Sequence, residues 1–151
     1  MVTKMLLVKH DVKPSPIHGL GVFVLQTVPA GTVVWRYDPM FDNEIPEDVV
    51  DKLPREEAET VYHHAEYLPI RRAFRLGNDA DIFMNHSFGP SLLDRGDQMI
   101  ASRDLRFGDE LTCNYCDVNV VGYTSEVVTD LVIAKTNLII DDRSSLRHDW
   151  P

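Results

Sequence analysis

Apolar and polar positions alternate along this chain in short bursts, few of them longer than six residues. Residues 5–10 (MLLVKH) predict a first strand, broken by Pro14-Ser15-Pro16. Val22-Phe23-Val24-Leu25 predicts the next, rich in β-branched and aromatic residues. Val28-Pro29-Ala30-Gly31 reads as a turn and residues 32–37 (TVVWRY) as a strand. The period then lengthens. Pro46-Glu47-Asp48 and Pro54-Arg55-Glu56-Glu57 both read as helix starts, with proline in the first turn and acids after it. Val49, Val50 and Leu53 make one apolar face; Ala58, Val61, Tyr62 and Ala65 make another. Pro69 is expected to end the helices. A strand over residues 70–76, a turn at Gly77-Asn78-Asp79, a strand over 98–102, a turn at 106–109 and a strand over 110–115 follow. Residues 126–142 are rich in Val, Ile, Leu and Thr, and their period does not separate a strand pair from a helix.

Composition narrows the class. A chain of 151 residues, 44% hydrophobic and 26% charged, reads as one globular domain with a real core. No apolar run approaches the roughly 18 residues that span a bilayer. Residues 1–12 lack the length of a signal-peptide core and a small-residue cleavage site, so no membrane partner and a cytoplasmic location are expected. The net charge of −9, from 24 acids and 15 bases, argues against a nucleic-acid partner bound through phosphates. It favours a basic, Lys-rich partner, although it also serves solubility. Cys113 and Cys116 lack the second pair that a zinc site of about four ligands needs. They read as reduced structural cysteines, and no metal is expected. His63 and His64 are adjacent and point apart on a helix, which suits a solvated or capping role.

Three stretches carry chemistry. His18-Gly-Leu-Gly-Val-Phe23 is a tight loop entering a strand, where two glycines let backbone come close to a ligand. No helix follows, so it is not a dinucleotide fingerprint, and alone it reads as a hairpin turn. Asp81-Ile-Phe-Met-Asn-His-Ser-Phe-Gly-Pro90 and Gly108-Asp-Glu-Leu-Thr-Cys-Asn-Tyr115 complete the set. In this order and spacing the three resemble the signature motifs of the SET domain, a family of protein-lysine methyltransferases that use S-adenosylmethionine.

The resemblance spans about residues 14–117. It implies a mainly β (α+β) fold, a β-clip of small twisted sheets with a pseudo-knot and a helical insert near residues 46–67. Residues 1–151 then form one SET domain with a core at 14–117 and a closing segment at 118–151. The resemblance implies that Gly19, Leu20, Gly21 and Phe23 meet the cofactor through their backbone. It implies that Asn85 and His86 hold the adenosine part. Tyr115 is expected beside both the sulfonium and the incoming amine, as cofactor contact and catalytic residue. Tyr37 and Tyr123 are expected in the substrate channel. Such a channel must favour the uncharged amine of a lysine whose free pKa is near ~10.4, and apolar aromatic walls do so.

Ile82, Phe88, Ser91 and Asn114 depart from the family pattern, which usually has Arg, Cys, Asn and Asp there. Phe88 replaces a cysteine that in eukaryotic members joins three more from a Cys-rich tail, so the chain looks more like short bacterial or viral SET proteins without zinc. Tyr123, Trp150 or a partner subunit, the last making a homodimer, are the candidates for closing the channel. The expected function is lysine N-methylation of a basic, Lys-rich protein or tail. A catalytically silent SET fold that binds a basic partner is the alternative, and a related β-rich fold with another role is the third reading.

Overall fold

The structure, a computed structural model, describes residues 5–120. Tyr123, Trp150 and residues 126–142 lie outside them. The elements run β1 (His10–Pro14), β2 (Leu20–Val24), β3 (Val33–Arg36), β4 (Asp42–Pro46), α1 (Glu47–Val50), α2 (Arg55–His64), β5 (Glu66–Leu68) and β6 (Ala73–Gly77). A one-turn 3-10 helix (Ala80–Phe83), β7 (Asn85–His86), β8 (Leu92–Asp94), β9 (Gln98–Ala101) and β10 (Glu110–Cys113) follow. This is the mainly β, small-sheet architecture with a short helical insert that the motifs imply. The elements group into two compact units.

The first unit holds residues 5–42 and Asn78–Asn114. It contains a four-stranded sheet ordered β1-β2-β10-β7 and a three-stranded sheet ordered β3-β9-β8. β1 and β2 form a hairpin in which Lys13 faces Gly21 and Pro14 faces Leu20. The first strand therefore starts five residues later than the apolar run at residues 5–10. That run instead lies extended beside β3, with Leu7 N–H donating to Val34 O at 2.8 Å and Arg36 N–H to Met5 O at 3.0 Å. Met5, Leu6 and Val8 are buried there with Val22, Val24, Val34 and Leu111. The apolar run was legible as buried chain, but the ladder belongs to the segment that the glycine loop folds back on.

The second unit holds Asn43–Gly77 and residues 115–120 of the described chain. Its sheet is ordered β4-β6-β5. Pro46 and Pro54 sit at the helix N-caps, each with φ of −55°, followed by Glu47 and Asp48 or by Glu56 and Glu57. Proline has its ring-fixed φ there and loses no helical donor, while the acids face the positive helix end. Val50, Ala58, Val61, Tyr62 and Ala65 pack with Tyr67 and Phe74 as expected, but Val49 is 43% exposed. The reason is length: α1 stops at Val50, so Val49 and Leu53 never share a helical stripe. Nor does Pro69 end the helices. α2 ends at His64, and β5 lies before the proline. β6 begins at Ala73 because Pro69 O accepts from Arg72 N–H across a turn.

Asp81 sits in the first unit at a point of electrostatic cost. Its Oδ2 accepts from Trp35 Nε1 at 2.9 Å, while its Oδ1 is buried without a hydrogen bond. Burial pushes its pKa up to about 6, with neighbouring Asp79 adding to the rise. The folded protein thus binds a proton between pH 4 and 6 that the unfolded chain has released. Stability from this group is present below pH 4, falls as pH rises through 6, and is flat above. Asp81→Asn keeps an acceptor for Trp35 and removes the charge. We expect it to be more stable than wild type at pH 7 by about 2–3 kcal/mol, with the difference shrinking towards pH 4. Urea unfolding of both proteins from pH 4 to 8 checks this; a constant difference across that range would contradict it.

Candidate functional site

The site is built on β10, which lies between β2 and β7. Glu110 and Leu111 pair antiparallel with Phe23 and Val22. Thr112 and Cys113 pair parallel with Asn85 and His86. The first and second motifs are thereby brought together by the third. The 3-10 helix feeds β7, and Asp79 caps it by accepting from Ala80 N–H at 2.8 Å.

Beyond β7 the chain stays on β10. Ser87 N–H donates to Cys113 O at 3.0 Å. Ser91 is fully buried. Its Oγ accepts from Thr112 N–H at 2.8 Å and donates to Glu110 O at 2.8 Å, while its own N–H donates to Thr112 Oγ1 at 3.0 Å. A side chain thus completes a ladder that β7 is too short to supply. Ser91, a departure from the family pattern, is a well-used residue in this chain.

The glycine loop closes on itself through Ser15 N–H donating to Gly19 O at 2.8 Å. Gly19 has φ of +45°, which favours glycine, and the space beside its α-carbon is open. Gly21 is glycine for another reason. A Cβ there would overlap the Glu110 carboxylate and meet Ser15 Cβ at 3.0 Å. Leu20 between them is 44% exposed, whereas Phe23 is buried beneath the Lys13 ammonium, 4.6 Å from its ring centre.

Asn85 is buried, and its Nδ2 faces three acceptors: His18 O at 3.1 Å, Leu20 O at 3.1 Å and Glu110 Oε1 at 2.9 Å. All three accept only, so the amide nitrogen must point at them. Glu110 Oε1 and Oε2 also accept from Ser15 Oγ, at 2.8 and 3.0 Å. Sequence reasoning missed Glu110 and Ser15. Glu110 stood inside a quoted motif without a role, and Ser15 was read only as part of a proline break.

His86 is buried, and burial lowers its pKa, so its ring is neutral at pH 7. Phe88 meets that ring edge-on at 4.4 Å and is itself 78% exposed. Tyr37 lies in the first unit just past β3, where its N–H donates to Asp97 O at 2.8 Å. Tyr115, two residues beyond β10 in the chain, belongs to the second unit, is half-buried, and accepts at its carbonyl from Val120 N–H at 3.0 Å. Cys113 is buried and Cys116 exposed.

The family model described as SET domain matches residues 19–116. Among solved structures, a Plasmodium falciparum protein assigned by name as a histone methyltransferase superposes with a TM-score of 0.51 at 18% identity, over 73% of this chain and 95% of that one. The humanised Chaetomium thermophilum Polycomb repressive complex 2, bound to an inhibitor, superposes with a TM-score of 0.57 at 17% identity, over 74% of this chain and 15% of that one. A search of the curated proteins found no match. The chain belongs to the SET domain family.

Ser91→Ala would strand a buried backbone N–H at Thr112 and a buried carbonyl at Glu110. We expect it to cost about 2–4 kcal/mol, since each unmet buried group costs roughly 1–3. Denaturant unfolding checks this. A loss below about 0.5 kcal/mol would show that the Ser91 bonds do not hold β10, since surface substitutions fall within that range.

Proposed function

We propose that the chain is an S-adenosylmethionine-dependent protein-lysine N-methyltransferase acting on a basic, Lys-rich protein or tail. The observation that carries this reading is the junction of the three SET motifs, with Asn85 hydrogen-bonded to the glycine loop from a strand that β10 holds in register. The surface suits such a cofactor. Gly19 gives open approach to backbone, Leu20 offers exposed apolar area, and His86 is neutral. The backbone of Gly19, Leu20, Gly21 and Phe23, with Asn85, His86 and Tyr115, would hold it.

When bound, S-adenosylmethionine supplies a methyl group on a sulfonium. The chain has to orient the amine in line with that group, keep it uncharged and exclude water. Alignment alone can supply on the order of 7–11 kcal/mol. Tyr115 takes the orienting role in this proposal, its hydroxyl accepting from the amine. Tyr37 would line the lysine channel in this proposal, and Tyr123 lies outside the described residues. The charge of −9 draws a basic substrate towards the protein.

A second reading, a silent SET fold that binds a basic partner in the cytoplasm, draws on Asn85 itself. Its two N–H groups are already shared among three acceptors within the protein. Cofactor binding separates the readings, because the silent module need not bind it.

Tyr115→Phe keeps the ring and removes the hydroxyl. We expect single-turnover methylation of a Lys-rich peptide to slow by roughly 10²–10³, with cofactor affinity nearly unchanged. An unchanged rate would make Tyr115 a packing residue. The wild-type rate at subsaturating peptide should fall as salt screens the attraction; insensitivity to salt would remove the charge argument alone. Calorimetry showing no affinity of the wild type for S-adenosylmethionine would favour the silent module.

A further inference from the structure

We infer that Glu110 is a positioning residue that sets the shape and hydrogen-bonding polarity of the glycine loop, acting through Asn85 at one end and Ser15 at the other. This rests on the cofactor reading above. The loop from residue 15 to 21 has few apolar anchors: Ile17 is 42% exposed and Leu20 is 44% exposed. Its shape is therefore held by polar bonds, and apart from Ser15 N–H to Gly19 O these lead to one carboxylate.

The polarity argument is the stronger part. A carboxylate accepts and never donates, whereas an amide or a hydroxyl can do both. Glu110 Oε1 facing Asn85 fixes the amide with nitrogen inward, at 2.9 Å. Only in that orientation can Asn85 donate to His18 O and Leu20 O. Flipped, its oxygen would face two carbonyls. The same carboxylate accepts from the Ser15 hydroxyl, leaving an Oγ lone pair to accept from Ile17 N–H at 2.9 Å. One acceptor thus decides the direction of hydrogen bonds on both sides of the loop. Gly21 completes the arrangement, because any larger residue would occupy the place of the carboxylate.

Glu110 is anchored outside the loop, on β10 opposite Phe23, so loop shape is referred to the same strand that carries Asn85 on its other side. Its effect on a ligand is expected in binding rather than in the chemical step.

The test uses the full chain and four variants: Glu110→Ala, Glu110→Gln, Ser15→Ala and Gly21→Ala. Amide hydrogen exchange over residues 15–21, without cofactor, reads the loop directly. Calorimetry with S-adenosylmethionine and steady-state kinetics read its consequence. Glu110→Ala should speed loop exchange and raise the cofactor KM by about 10- to 100-fold, with kcat close to wild type. Glu110→Gln should retain most of the protection, because a carboxamide oxygen in the place of Oε1 accepts from both Asn85 and Ser15 Oγ. Gly21→Ala should mimic Glu110→Ala while keeping the charge, and it carries the test together with Ser15→Ala if Glu110→Ala does not fold.

The inference is overturned if loop exchange in Glu110→Ala and Gly21→Ala matches wild type, or if Glu110→Gln behaves like Glu110→Ala. A fall in kcat with an unchanged cofactor KM also overturns it. If the wild type binds no S-adenosylmethionine, the methyltransferase reading fails, and the exchange data alone then uphold or overturn the clamp.

Discussion

Strand β10 has four residues and neighbours on both edges, and that arrangement constrains most of the first unit. Its first half holds β2 and its second half holds β7, one antiparallel and one parallel. A two-residue strand such as β7 has little stability of its own. It persists because Ser87 and Ser91 continue its bonding along β10. Register then follows from the period of two. A slip of one residue at β7 would exchange the faces of Asn85 and His86 and remove both from their present partners. The site is thus precise because short strands share a common neighbour, although no strand among the described residues exceeds five residues.

Much of this was legible in the chain. The β2 and β3 patterns, the two proline-led helices and the turns at Gly31 and Gly108 all follow from local chemistry, and the structure has them near the expected positions. β4 and β8 were not legible. β4 reads DNEIP, a sequence poor in strand formers, and its pairing comes from β6 rather than from its own residues. β8 is three residues long, below the length at which alternation can be read. In the site, the motif residues were visible as letters, but the bonds among Ser15, Asn85 and Glu110 span up to 95 positions in sequence. No local pattern encodes such a contact.

The second unit solves a different problem with the same device. Glu47 is buried at the start of α1, where an acid normally faces water. Tyr67 Oη donates to its Oε1 at 3.1 Å, and Arg72 donates to its Oε2 from Nε at 3.1 Å and from Nη2 at 3.0 Å. Burial and the Glu47 charge both raise the Tyr67 pKa, so the phenol stays a donor. Arg72 holds a positive φ of 51°, unusual for a residue with a side chain, and Glu47 N–H donates to its carbonyl at 2.9 Å. The local strain is offset by contacts from two sides. Glu66 and the buried Arg75 add a second, partly buried pair directly across β5 and β6, at 2.6 Å. Removing one partner of such a pair is costlier than never having had it, so these acids are committed to structure. The negative charge that the surface presents is correspondingly carried by the other, exposed acids.

The departures from the family pattern divide by what they touch. Ser91 replaces one polar residue with another that satisfies two backbone groups, so the fold loses nothing there. Phe88 puts an exposed ring against His86, adding apolar surface where a thiolate ligand would have brought charge. Neither change touches the amide of Asn85, whose nitrogen is spent on the loop and on Glu110. Whatever that nitrogen contributes to a ligand, it contributes through loop shape. The side-chain nitrogen of Asn85 thus has a geometric role, turned towards the loop and Glu110. The glycine loop presents backbone, Asn85 fixes that backbone, and Glu110 fixes Asn85. A loop held in this way pays its ordering entropy on folding, so in the methyltransferase reading that cost would not recur on binding a cofactor.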